Sequence, residues 1–193
     1  MRAALFVLAI YATTVRAGEF DAKSPHGRFT ITQRWVRPDY IASNTDCTKS
    51  DCGWEAVLEF AGKPKGRVSL AAHPEWYSWP ADYRISPDEQ WIIRDQKTGS
   101  GENALFLYHV EADGQVWRLS QSLDNLVWSA MLAPLHLTRA DYYHMEVVLV
   151  SWDVSAGKVH LKARATPEDK DEKKIISERA ATYDLRKHVV TVE

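Results

Sequence analysis

Cysteine is nearly absent from this 193-residue chain, which holds only Cys47 and Cys52. Two thiols exclude a disulfide-dense scaffold and a four-cysteine zinc site. The run Cys47-Thr48-Lys49-Ser50-Asp51-Cys52 also lacks the C-x-x-C spacing of a redox or metal pair. Long apolar runs are missing. Ala3 to Ala12 is about half the length that a membrane-spanning helix needs, and no later stretch reaches it. A basic excess is missing as well: 24 Lys and Arg stand against 26 Asp and Glu, and the basic residues are scattered rather than striped. That balance speaks against binding to a nucleic-acid backbone. No G-x-S-x-G elbow, H-E-x-x-H helix or Walker A loop occurs, since Lys97-Thr98-Gly99-Ser100-Gly101 has the wrong order and lies between strands. The seven histidines show no ligand-like spacing on one predicted helix. The sequence thus selects no catalytic residue, no metal site and no cofactor.

What is present begins at the N-terminus. Arg2 and the free amine form a small basic region, Ala3 to Ala12 is short and apolar, and Val15-Arg16-Ala17 places small residues where a signal peptidase reads. This is the layout of a cleavable signal peptide over residues 1–17, leaving a single β-rich domain over 18–193. Loss of Arg2 and Arg16 leaves 22 basic against 26 acidic residues, a mature charge of −4. The expected location is secreted or periplasmic, with no membrane span in the mature chain. In such an oxidising compartment Cys47 and Cys52 are expected to pair as a small structural disulfide.

Alternation of apolar and polar residues dominates the rest. Phe29, Ile31 and Trp35 share one face of Arg28 to Trp35, with Gln33 the exception. Further strands are expected over Trp54 to Ala61, Arg67 to Ala71, Trp91 to Gln96, Ala104 to Glu111, Gln115 to Gln121, Met145 to Trp152, Lys158 to Ala165, Ile175 to Asp184 and Val189 to Val192. Asp113-Gly114 marks a hairpin. One segment breaks the pattern: Leu123, Leu126, Val127, Ala130 and Met131 recur at helical spacing, with Ser122 placed to cap the start and Pro134 to end it. The expected fold is all-β, an antiparallel meander built as a sandwich or open barrel-like sheet, with one short helix near 123–132.

A pattern also repeats. Ser24-Pro25-His26-Gly27-Arg28-Phe29-Thr30-Ile31 is matched by Ser86-Pro87-Asp88-Glu89-Gln90-Trp91-Ile92-Ile93, each a Ser-Pro turn followed by an aromatic that opens a strand. With Ala104-Leu105-Phe106-Leu107-Tyr108, Asp113-Gly114 and Trp117-Arg118-Leu119, the second copy resembles one blade of a WD-type β-propeller repeat of the Ser-Pro-Asp-Gly subclass. A weaker third copy runs from Val150-Ser151-Trp152-Asp153 to Tyr183-Asp184-Leu185. The resemblance implies local blade-like antiparallel meanders. The two clear copies start 62 residues apart, against ~40 to 45 for such blades, and three units do not close an ordinary ring of at least about four.

Eight tryptophans are present, and Trp76, Tyr77, Trp79 and Tyr83 crowd one Pro-bounded segment. Either Trp76 and Trp79 fold inward and cap one end of the core, or their flat faces with polar edges meet a sugar ring or a partner's side chain. Arg94, Lys97 and Glu102 stand ready to add hydrogen bonds if the loops converge. Trp35, Trp54, Trp91, Trp117 and Trp152 are assigned to the core. Two functions follow. One is a non-catalytic binding module for a protein or glycan. The other is a small secreted hydrolase with dispersed residues, for which converged carboxylates, or His144 paired with Asp141 or Glu146, are the signature.

Overall fold

The computed structural model describes residues 19–36, 52–62, 66–71, 77–167 and 176–193, so Cys47 and Trp76 lie outside the described residues. The described residues form three antiparallel four-stranded sheets, each a meander in chain order. The first holds β1 (Glu19–Lys23), β2 (Phe29–Val36), β3 (Gly53–Phe60) and β4 (Arg67–Ala71). The second holds β5 (Asp82–Ile85), β6 (Trp91–Gly99), β7 (Glu102–Val110) and β8 (Val116–Arg118). Helix α1 (Leu123–Leu132) and two short 3-10 turns lead to the third, with β9 (Tyr142–Asp153), β10 (Lys158–Pro167), β11 (Ile176–Asp184) and β12 (Val189–Val192). This is the expected all-β meander with one short helix, and its sheets do not close into a barrel.

The second sheet is buried on both faces. Ile92, Tyr108 and Val110 pack against Phe29, Ile31, Leu58 and Leu70 of the first sheet. Ile93, Leu105 and Leu107 pack against Leu123, Val127 and Trp128 of α1 and Val147, Leu161 and Tyr183 of the third sheet. Double burial explains why β6 opens with two consecutive buried isoleucines, whereas β10, half solvated, alternates strictly. The outward faces of the first and third sheets are polar. They carry the pairs Arg34–Glu55 and Arg67–Glu59 on one, and Lys162–Glu178 and Arg164–Glu146 on the other. No further sheet is needed to cover either face.

Buried side-chain amides join the sheets. Gln33, the exception to alternation in β2, donates from Nε2 to the Ala81 carbonyl and accepts from the Ala81 N–H, both at 2.8 Å. Asn103 of β7 repeats the device on β9: Nδ2 donates to Val147 O at 2.7 Å and Oδ1 accepts from Val147 N at 3.0 Å. Each amide stands in for a strand that the ladder lacks, satisfying one buried N–H and one buried C=O.

The repeated turns are equivalent in space. Ser24 Oγ accepts from Phe29 N at 3.0 Å, and Ser86 Oγ accepts from Trp91 N at 2.9 Å. In the third sheet Asp153 likewise faces Lys158 five residues on, but its carboxylate accepts from Ala156 N at 3.0 Å, a different closure of the turn. Gly27 has φ 77°, and its counterpart Glu89 takes φ 58°. Glu89 is buried and its carboxylate accepts from His26 N at 2.6 Å, tying the two Ser-Pro turns together. Burial pushes the Glu89 carboxyl up, but bonds from Ser24 and the His26 backbone outweigh it and hold it below the usual range.

Several expectations need correction. β1 and β5 were not anticipated, because they are short and half charged. Ser122 makes no side-chain cap, and Asp124 in the first turn instead accepts from Leu105 N at 2.9 Å. Among the described residues the fully buried tryptophan is Trp128, at 1% exposure; Trp91 and Trp152 pack partly buried against the same core as expected, while Trp35 and Trp117 are 41% and 37% exposed.

Candidate functional site

The first strand of each meander, β1, β5 and β9, is an edge of its sheet. The three edges converge on a groove of about 670 Å³, lined by Lys23 from β1, Tyr83 and Arg84 from β5, Asp95 from β6, and Val150 and Trp152 from β9. Asp95 also lines a second cleft of about 400 Å³ with Asp82, Lys97, Glu102, Asn103 and Glu146. The two spaces therefore meet at Asp95.

Asp95 sits where β6 turns from apolar to polar. Burial pushes its carboxyl above the usual range, the Asn103 amide opposes this by donating to Oδ1 at 2.7 Å, and the charges of Asp82 and Glu146 push it further up. Glu146 is held from the far side by Arg164, whose Nε donates to Oε2 at 2.6 Å. Lys97 places its ammonium 5.0 Å from the ring centre of Trp79, a residue that is 39% exposed. That cation fixes the orientation of the indole. The cleft therefore combines several carboxyl groups and one ammonium, with an accessible indole beside that ammonium.

Of the residues singled out from sequence, Trp79, Lys97 and Glu102 gather here. Tyr83 packs into the core shared by the first and second sheets. Tyr77 bridges to Trp54 of β3, its carbonyl accepting from Trp54 N at 3.0 Å. Arg94 is 1% exposed and internal, its guanidinium 5.2 Å from the Tyr77 ring centre. Sequence reasoning missed Asp82, Asp95 and Asn103, and named Glu146 only as a partner for His144. The available signal was Asp95 itself, an acid inside a strand otherwise buried on both faces.

The suggested histidine dyads do not form. Asp141 Oδ2 accepts from Thr138 N and Oγ1, Glu146 faces Arg164, and His144 packs at a tilt against Tyr143 with ring centres 4.5 Å apart. Among the described residues no group of three His, Cys, Asp or Glu side chains is arranged to hold a metal ion, and no helix is long and apolar enough to cross a membrane. Compared with known proteins, the chain matches no family model and no curated sequence, so the functional reading rests on this geometry.

Proposed function

We propose that the protein is an exported, non-catalytic binding module whose ligand is a glycan held at the cleft between Trp79 and Asp95. The observation that carries this reading is the half-exposed Trp79 indole, oriented by Lys97 beside a cleft lined by Asp82, Asp95, Glu102 and Glu146. Sugar rings offer an apolar face to an indole and hydroxyl donors to carboxylates. The N-terminal signal pattern supports export, with Cys47 and Cys52 pairing as a disulfide. The three four-stranded meanders, two of them with equivalent first turns, support reading the fold as propeller-type blades stacked without ring closure.

The test is a thermal-shift series against an oligosaccharide panel. A binding sugar at about 100 times its dissociation constant adds about 2.7 kcal/mol of stability. We expect Trp79→Ala to abolish that shift while leaving the unliganded midpoint within a few degrees of wild type. A panel without any shift, or a shift that survives Trp79→Ala, refutes the reading.

The hydrolase reading draws on one observation, the raised Asp95 carboxyl beside Asp82 and Glu146. Acid catalysis on a glycosidic bond uses a carboxyl whose pKa is raised next to an ionised one. Turnover of a bound sugar that disappears in Asp95→Asn would favour it over simple binding.

A further inference from the structure

Arg94 is the most buried charged side chain among the described residues. Its Nη1 donates to Leu70 O at 3.3 Å and its Nη2 to Gln96 Oε1 at 2.7 Å, both neutral acceptors. The rings of Tyr77 and Phe106 stand 5.2 Å from Cζ and offer π-faces without a net charge. Among the described residues Nε has no hydrogen-bond partner. The other two buried charges are treated differently. Asp124 has Arg139 Nη1 at 3.6 Å, and Glu89 has His26 Nδ1 at 3.8 Å. No carboxylate answers Arg94 among the described residues. A lysine in this position would shed its proton, but a guanidinium stays charged throughout the range in which proteins fold. A permanent buried cation needs a counter-charge, because desolvation of an uncompensated ion is severe.

A second orphan lies beside it. Tyr83 of β5 is the register partner of Arg94 of β6, so the two side chains leave the same face of the sheet as direct neighbours. Tyr83 Oη is buried and has no hydrogen-bond partner among the described residues. Two unanswered donors thus sit next to each other, one of them on a permanent cation, between the first and second sheets.

We propose that a small monovalent anion of the halide class binds between Arg94 Nε and Tyr83 Oη and is the counter-ion of the buried guanidinium. Burial selects for size, since a residue 1% exposed leaves no route for a sugar acid or a phosphate ester. Charge selects for a single negative unit. A spherical ion accepts from both donors without the directional demands of a carboxylate.

The experiment is thermal unfolding of the purified protein in sodium chloride, sodium bromide and sodium gluconate at constant ionic strength, which keeps screening equal. In wild type the midpoint should climb with the logarithm of halide concentration, each tenfold rise above the dissociation constant adding an equal increment. Arg94→Met keeps the volume and removes the charge, and its midpoint should be the same in all three salts. Tyr83→Phe keeps the ring and removes one donor, and should weaken the apparent halide affinity by roughly tenfold. If Arg94→Met does not fold, the Tyr83→Phe comparison decides alone. A wild-type midpoint indifferent to the anion, or an equal halide response in wild type and Tyr83→Phe, overturns the proposal.

Discussion

Asp95 shows how one side chain records its surroundings. Its carboxyl is raised by burial and by neighbouring acids, so the charged form is less favourable in the folded chain than in the unfolded one. The stability it contributes is complete below the ordinary carboxylate range and is lost as pH rises through its raised pKa. Asp95→Asn keeps an acceptor for Asn103 and removes the charge. We expect the variant to melt above wild type at neutral pH, with the gap closing on acidification. A variant that melts below wild type at every pH would contradict this account. Gln33 makes a related point in the neutral case. It breaks the alternation of β2 because its amide serves the Ala81 backbone, and truncation would strand two buried backbone groups at about 1–3 kcal/mol. The sequence displayed both anomalies, a Gln on an apolar face and an Asp in an apolar strand. It could not show their partners, which lie 48 residues away for Gln33.

At the scale of elements, turns and hairpin tips carry the strain. Gly27 and Gly101 both have positive φ, at 77° and 69°. A Cβ on Gly27 would meet nothing within 4 Å, whereas one on Gly101 would lie 2.9 Å from the His144 ring. Gly27→Ala should therefore cost only the backbone term, about 1–2 kcal/mol. Gly101→Ala should cost at least ~1 kcal/mol more, because the β6–β7 tip must back away from His144, itself held at φ 53° in β9. Urea denaturation of the two variants checks the order, and equal losses would mean that the tip does not press on β9. Most elements were legible here. Helix α1, β4 and β12 have the bounds expected from periodicity and turn residues. β1 and β5 escaped notice because charged residues fill alternate positions of Glu19–Lys23 and Asp82–Ile85, leaving too few apolar residues to mark a strand. Both line the groove together with β9, so two of its three edges were hidden with them.

For the whole molecule, the decisive feature is how the stack of sheets ends. The outer face of the third sheet carries Lys162 and Arg164 with their acids, and Lys162 lies opposite Val148 in the register. Exposed ion pairs of this kind contribute about 0–1 kcal/mol each, so their main effect is to keep the face solvated. Lys162→Val with Arg164→Val should leave the midpoint nearly unchanged. It should also drive concentration-dependent association, visible by light scattering, as the face joins the exposed Val150 in an apolar strip. A double variant that stays monodisperse would show that the charges are not what terminates the stack.

The sequence by itself determined the class of the fold, the helix, and the repeated turns, because these follow from local periodicity and from residues that hydrogen-bond within a few positions of themselves. Only the tertiary structure decided that three meanders stack with the middle one buried on both faces, that β1, β5 and β9 meet around one groove, and that Trp79, Lys97 and four acids gather at its end. Those outcomes depend on contacts between residues distant in the chain, and such contacts leave no period to read.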